Sequence, residues 1–272
     1  MRLFDSHSHL QDERFDEDRE AVLARAAAAG VATVVVCGED VGSSEAAIAL
    51  AAGAQSPRLL ATAGFHPHQA SQASEDALDR IKELAADGHV AAIGEIGLDF
   101  YRDLSPRDVQ RRVFDAQLAI AARLGLPVSV HSRDAEEELA PHLARYVAES
   151  PLAAQGRPLG VLHAFGGTLR QAQQYAELGF LVSLTCSAGY PRNEEARNVA
   201  AGLPLASLLV ETDSPALPPQ SRRGTRNEPA NVRVTAEVVA EARGLSVETV
   251  AEATTANAEA LFGVPSAVEA GA

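Results

Sequence analysis

Three features of the 272-residue chain predict a closed α/β barrel of eight parallel strands, the (β/α)8 or TIM architecture, folded as a single domain with an extra C-terminal helix. Eight short runs rich in β-branched residues alternate with segments of helical spacing. These runs are apolar nearly throughout, which is expected of strands covered on both faces, and a sheet so covered is parallel. Histidines and carboxylates gather just after the runs, at the strand ends where barrel enzymes keep their active sites.

In chain order the expected strands are RLFDSH (2–7), VATVVVCG (31–38), RLLATAGFH (58–66), VAAIGEIGLDF (90–100), LPVSVHS (126–132), PLGVLHAF (158–165), GFLVSLT (179–185) and LASLLVETDS (205–214). Segments such as DEDREAVLARAAAAG (16–30) and PRDVQRRVFDAQLAIAARLG (106–125) concentrate the strong helix formers Ala, Leu, Glu and Arg. Many helical patterns stop at a glycine (Gly30, Gly53, Gly88, Gly125, Gly179, Gly244), the residue favoured just past a helix end. SVETVAEATTANAEALFG (246–263) follows the eighth unit and reads as an additional closing helix. The domain thus spans 1–263, with 264–272 expected to be a frayed tail. An open doubly wound sheet is disfavoured because no G-x-G-x-x-G follows the first strand.

With 46% apolar and 22% charged residues the chain can bury a large core. A net charge of −14 argues against non-specific attraction to nucleic acid or to an anionic membrane through the field of the whole molecule, so a polyanionic substrate must be held locally. The basic residues are arginines except for Lys82, which lies in a helical pattern remote from any strand end. Schiff-base chemistry is therefore excluded. Cys37 and Cys186 read as buried, reduced thiols, no signal peptide fits the N-terminus, and no apolar run is long enough to span a bilayer. The expectation is a cytoplasmic protein without membrane association or a required protein partner.

Strand one ends in His7 and His9, strand three in His66 and His68, strand four in Glu95 and Asp99, strand five in His131, strand six in His163 and strand eight in Asp213. Residues i and i+2 of a strand face the same side, so His7 and His9 can share the barrel interior. One strand-end His-x-His can be structural. Four histidines and two carboxylates converging from five strands cannot easily be, because buried imidazoles and carboxylates are costly unless paired or coordinated. Six ligands exceed a tetrahedral site, whereas two ions roughly 3.5–4 Å apart would use them all. A mixed nitrogen and oxygen set suits zinc, manganese or magnesium. Two such ions need a bridging anion, and with Lys82 misplaced for carboxylation, Glu95 is the available bridge.

DSHSHL, GFHPH, GEIGLDF, VHSRDA, HAFGG, ETDSP and RNEP occur in this order, and over residues 1–263 the chain resembles the TatD family of metal-dependent deoxyribonucleases, barrel hydrolases of the amidohydrolase type. The resemblance implies that His7, His9 and Asp213 hold one divalent ion, His131 and His163 the other, with Glu95 bridging. It also implies a 3′–5′ exonuclease acting on single-stranded or frayed DNA ends, the kind of end processing used in DNA repair. Many relatives carry cysteine after the strand-six histidine; here the residue is Ala164.

The expected reaction is attack of a metal-activated water on the scissile phosphorus, with Asp213 accepting the proton. His66, and less strongly His68, are candidate phosphate contacts. Arg222 and Arg223 could reach the phosphate backbone or form a solvated run, and Arg133 could reach a phosphate or pair with Asp99. Tyr101 and Tyr190 could stack on bases at the rim. Arg226, Asn227 and Glu228 are expected to buttress the ETDSP turn, and Asp5 to support His7 and His9. The competing reading is a carbon-centred metallohydrolase, of lactonase or aminoacyl-tRNA deacylase type, using the same metals on a carbonyl. A non-catalytic nucleic-acid-binding barrel is disfavoured by the net charge.

Overall fold

The computed structural model describes residues 1–53 and 56–264. The eight strands are β1 (Leu3–Ser8), β2 (Val31–Cys37), β3 (Arg58–Ala63), β4 (Val90–Asp99), β5 (Val128–Arg133), β6 (Gly160–Leu162), β7 (Phe180–Leu184) and β8 (Leu208–Val210). They form one sheet in sequence order, with every neighbouring pair parallel. The ends of the sheet meet through the amide of Asp213 donating to the His7 carbonyl (3.0 Å) and that of His9 to the Ser214 carbonyl (2.7 Å). The architecture is therefore the eight-stranded barrel read from the sequence. The bonds that close it run through three of the site residues or their neighbours.

The helices are α1 (Arg19–Ala28), α2 (Val41–Gly53), α3 (Glu75–Ala86), α4 (Arg107–Leu124), α5 (Glu136–Glu149), the single turn α6 (Pro151–Ala154), α7 (Leu169–Glu177), α8 (Glu194–Gly202), α9 (Val232–Arg243) and α10 (Val247–Phe262). Their starts are fixed by caps. Ser74 and Ser246 accept from the amides three residues on, and Thr168 with Gln171 forms a reciprocal capping box at α7. Left-handed Gly125, Gly244 and Gly263 end α4, α9 and α10.

Two apolar clusters result. The larger lies between the strands and the helix ring, with Val34, Val36, Ile93, Ile96, Val128, Val130 and Val182 packed against Phe114, Leu118, Leu139 and Val239. The smaller fills the barrel interior: Phe4, Val35, Cys37, Ala92, Val161, Leu181 and Leu209 meet Ala258, Leu261 and Phe262 of α10. Phe4 and Phe262 stack at 5.8 Å. The extra helix thus plugs the N-terminal mouth of the barrel and leaves the opposite end for chemistry. Of the expected frayed tail, Val264 is buried in this plug, and 265–272 lie outside the described residues.

Tyr146 of α5 is fully buried, and its hydroxyl donates to the carbonyls of Leu126 (2.7 Å) and Leu159 (3.1 Å), which lead into β5 and β6. Burial pushes its pKa up to about 12. Tyr146→Phe is expected to lower stability by about 1–3 kcal/mol, because it removes a buried donor from two carbonyls. Urea unfolding checks this as a shift of midpoint at constant slope.

Candidate metal centre

The strand ends bring six of the chain's histidines and three carboxylates to one buried cluster around Glu95. Its two oxygens face different partners. Oε2 lies 3.2 Å from His7 Nε2 and 3.5 Å from His9 Nε2. Oε1 lies 2.7 Å from His163 Nε2, 3.0 Å from His131 Nδ1 and 3.3 Å from His66 Nε2. On the first side His9 Nε2 is also 3.6 Å from Asp213 Oδ1. Asp213 holds a left-handed backbone (φ 54°), a costly conformation for a non-glycine residue, with its amide bonded to β1.

Within each set the nitrogens converge: His7 Nε2 and His9 Nε2 are 3.3 Å apart, His131 Nδ1 and His163 Nε2 3.1 Å. Two ligands of one divalent ion with bonds near 2.0–2.2 Å stand about 3.0–3.4 Å from each other, so both spacings fit a shared cation.

What the outer ring nitrogens face decides which inner ones can coordinate. His9 Nδ1 lies 3.1 Å from the Cys37 carbonyl, so it carries the proton and leaves Nε2 free as a ligand. His163 Nδ1 faces Glu211 Oε1 at 3.5 Å, and His131 Nε2 faces Asp99 Oδ2 at 3.4 Å. Both atoms are buried without a formed hydrogen bond, and a carboxylate opposite each favours N–H there. His7 Nδ1 has the Ser129 hydroxyl and the Cys37 thiol at 3.4 Å. His66 is inverted. Its Nδ1 accepts from the His68 amide (3.1 Å), so in the neutral ring Nε2 bears the proton and is a donor rather than a ligand.

Electrostatics follow the same division. Burial alone would raise the Glu95 carboxyl, but His163, His66 and His7 and the hydrogen bond from His131 outweigh it and hold it well below the usual carboxylate range. Burial pushes His66 down to about 4, keeping it neutral near pH 7. Burial opposes protonation of His9, yet the hydrogen bond to Asp213 and the charges of Glu39 and Glu95 lift it to about 9. His163 and His131 are raised by Glu95 together with Glu211 and Asp99 respectively, against the same burial. A cation entering the cluster must therefore displace protons from these rings.

A model of the TatD related DNase family matches residues 4–263. The chain belongs to the TatD family. It is 38% identical to the metal-dependent hydrolase YabD of Bacillus subtilis, over 96% of this chain and 98% of that protein. It is likewise 38% identical to the 3′-5′ ssDNA/RNA exonuclease TatD of Pantoea ananatis, over 96% and 100%. The crystal structure of the TatD homologue YjjV from Escherichia coli superposes with a TM-score of 0.88 at 36% identity, covering 97% of this chain and 99% of that one.

Around this TatD-family centre the structure sorts the remaining expectations. His68 Nε2 donates to Asp99 Oδ2 (2.8 Å), so Asp99 stands between His68 and His131 and, against burial, is held well below its usual pKa by His131, by the Arg102 amide and by His68. Arg133 does not pair with Asp99; its guanidinium lies 3.9 Å over the Tyr101 ring. Arg223 stacks 4.5 Å over Tyr190, whereas Arg222 is exposed and bonded through its backbone, its amide donating to the Pro219 carbonyl and its carbonyl accepting from Thr225. Asn227 does buttress the ETDSP turn, donating to the carbonyls of Thr212 and Leu217. Arg226 and Glu228 do not: Arg226 binds Asp18 and the Arg14 carbonyl, and Glu228 binds Arg25, tying the loop to α1. Asp5 accepts from the amide and hydroxyl of Thr212, so it supports the Asp213 segment rather than the His7 and His9 rings.

Glu211 is the one buried carboxylate of the cluster not singled out from the sequence. It is fully buried, accepts from Ser183 Oγ (2.5 Å), Ser6 Oγ (3.4 Å) and the Ala164 amide (2.6 Å), and faces His163. Its signal was its place two residues before Asp213 with two polar residues, Ser6 and Ser183, among apolar strands.

Manganese, magnesium or zinc at about 100 times its dissociation constant is expected to stabilise the protein by about 2.7 kcal/mol. Thermal melts should show this for the wild type and for His89→Ala, and not for Glu95→Gln. The stabilisation should fade as pH falls, since the rings must lose protons to coordinate. A Cβ at Gly97 (φ +143°) would collide with the His131 carbonyl. Gly97→Ala is therefore expected to weaken metal stabilisation at least tenfold in affinity, about 1.4 kcal/mol, while keeping the barrel's circular dichroism.

Proposed function

We propose that the chain is a metal-dependent exonuclease that removes nucleotides from the 3′ end of single-stranded DNA or RNA, working in the cytoplasm on end-processing reactions such as those of DNA repair. The observation that carries this reading is the split of the Glu95 carboxylate between two convergent nitrogen sets, in a chain belonging to a family of DNases. The proposed ligands are His7, His9 and Asp213 on one side and His131 and His163 on the other, with Glu95 common to both. Two free, buried thiols at Cys37 and Cys186 suit a reducing compartment, and among the described residues no helix is long and apolar enough to cross a membrane.

Two bound divalent ions would neutralise charge on the phosphoryl oxygens and acidify the attacking water. Asp213, anionic and partly open to solvent, is the base that takes the water's proton. His66, neutral with its proton on Nε2, donates to a non-bridging phosphate oxygen. Asp99 and Glu211 fix the rings of His131 and His163, and the surrounding imidazoles keep Glu95 anionic near neutral pH. Arg133 and Arg223 lie beyond the centre as phosphate contacts, which answers how an acidic protein holds a polyanion.

Chelation is expected to abolish release of nucleotides from a 3′-labelled oligonucleotide, and added manganese or magnesium to restore it. Asp213→Asn and Glu95→Gln should each lower turnover by a factor of about 100 or more. His66→Ala should lower kcat about 10- to 1000-fold without changing metal stabilisation in thermal melts, because it removes a donor and no ligand. Faster hydrolysis of lactone or aminoacyl esters than of single-stranded DNA under the same metal conditions would replace this reading with the carbon-centred one.

A further inference from the structure

Two arginine–tyrosine stacks stand on the rim of the metal-centre face, and the closing of the barrel does not require either. Arg133 ends β5, two residues beyond His131, and its guanidinium lies 3.9 Å over the ring of Tyr101 in the loop after β4. Arg223 lies 4.5 Å over Tyr190, pairing the loop after β8 with the turn after β7. Among the described residues neither arginine has a carboxylate within ion-pair distance, whereas Arg14, Arg25, Arg80, Arg107 and Arg226 all do. A guanidinium stacked by its flat face keeps its N–H groups free at the edge, in the plane that matches a phosphate.

Both platforms are anchored. The amides of Tyr101 (2.9 Å) and Arg102 (2.7 Å) donate to Asp99 Oδ1, whose other oxygen faces His68 and His131. Tyr190 donates its hydroxyl to the Pro218 carbonyl (2.6 Å), and Arg197 holds the Tyr190 carbonyl (2.7 Å). They differ in openness. Tyr101 is 61% exposed beside Leu104 at 62%, an apolar step facing solvent, whereas Tyr190 is half-buried and locked by its hydroxyl. In strand order the stacks lie between β4 and β5 and between β7 and β8, so they flank the centre rather than share one side.

We propose that these stacks are paired base-and-phosphate clamps on either side of the scissile bond: Tyr101 with Arg133 holds the body of the strand, and Tyr190 with Arg223 holds the terminal nucleoside that is released. The inference rests on the nuclease reading above and adds what it selects. Stacking on a tyrosine face needs an unpaired base, so the substrate is single-stranded at its end and a duplex must fray to be cut. Stacking tolerates every base, so little sequence preference follows.

The test uses octathymidylate, its phosphorothioate analogue for binding by fluorescence anisotropy, and the dinucleotide dTpdT. Tyr101→Ala and Arg133→Ala are expected to weaken octamer binding and raise its KM about 5- to 100-fold, with a smaller rise in KM for dTpdT, which offers one nucleoside where the octamer offers a strand. Tyr190→Ala and Arg223→Ala should impair both substrates. Tyr101→Phe should restore octamer binding, since it keeps the ring, and Arg133→Ala should flatten the salt dependence. Arg123→Ala removes the same charge at the opposite end of the barrel and serves as the control. Octamer binding by Tyr101→Ala and Arg133→Ala equal to that control would overturn the clamps while leaving the nuclease reading intact. Weakened binding without any cleavage by the wild type would support the clamps and overturn the nuclease reading. Failure of the wild type to bind the octamer would overturn both.

Discussion

The structure turns on one buried carboxylate. Glu95 sits among imidazoles from β1, β5 and β6 and from the segment after β3, with almost no water to share its charge. An anion in that position is tolerable only because positive or proton-bearing groups surround it, and histidines are tolerable there only because it is an anion. Each of its oxygens organises a separate set of ring nitrogens, two on one side and three on the other. That single side chain therefore sets both the electrostatics of the cluster and its division into two parts.

The barrel serves this arrangement. Parallel strands of a closed sheet deliver their C-terminal ends to one rim, so residues more than 200 positions apart in sequence, His9 and Asp213, bring Nε2 and Oδ1 to 3.6 Å. The closing bonds between the first and last strands are made by the backbone of these very residues. Stability and site geometry are thereby coupled at that seam. At the other mouth α10 fills the barrel with Leu261 and Phe262, leaving the polar end free to bury groups that no apolar core would admit.

Outside the cluster, acidic and basic groups have separate duties. Most helix-borne arginines are neutralised by nearby carboxylates, which contribute little individually to stability. Arg133 and Arg223, without a carboxylate partner among the described residues, lie flat on tyrosines beside the centre. A chain of net charge −14 thus keeps two positive groups free of carboxylate partners beside the histidine cluster.

Much of this was legible in the sequence by itself. Apolar β-branched runs alternating with helical segments determine the barrel, since only strands covered on both faces tolerate that pattern, and the chain's periodicity places His7, His9, His66, Glu95, His131, His163 and Asp213 at strand ends. The single lysine at Lys82, in a helix away from the strand ends, removes a carboxylated lysine from the cluster. Only the tertiary structure decided what each ring faces. His66 and His163 are equivalent as letters, yet the His68 amide puts a proton on the inner nitrogen of one, while Glu211 favours a bare inner nitrogen on the other. Arg226 and Glu228 adjoin Asn227 in sequence but bind α1 instead of the ETDSP turn, because side chains of neighbouring residues in an irregular loop point in different directions. Periodicity reports which residues are inside. The direction of a hydrogen bond depends on contacts between distant segments, and the linear order of residues does not encode it locally.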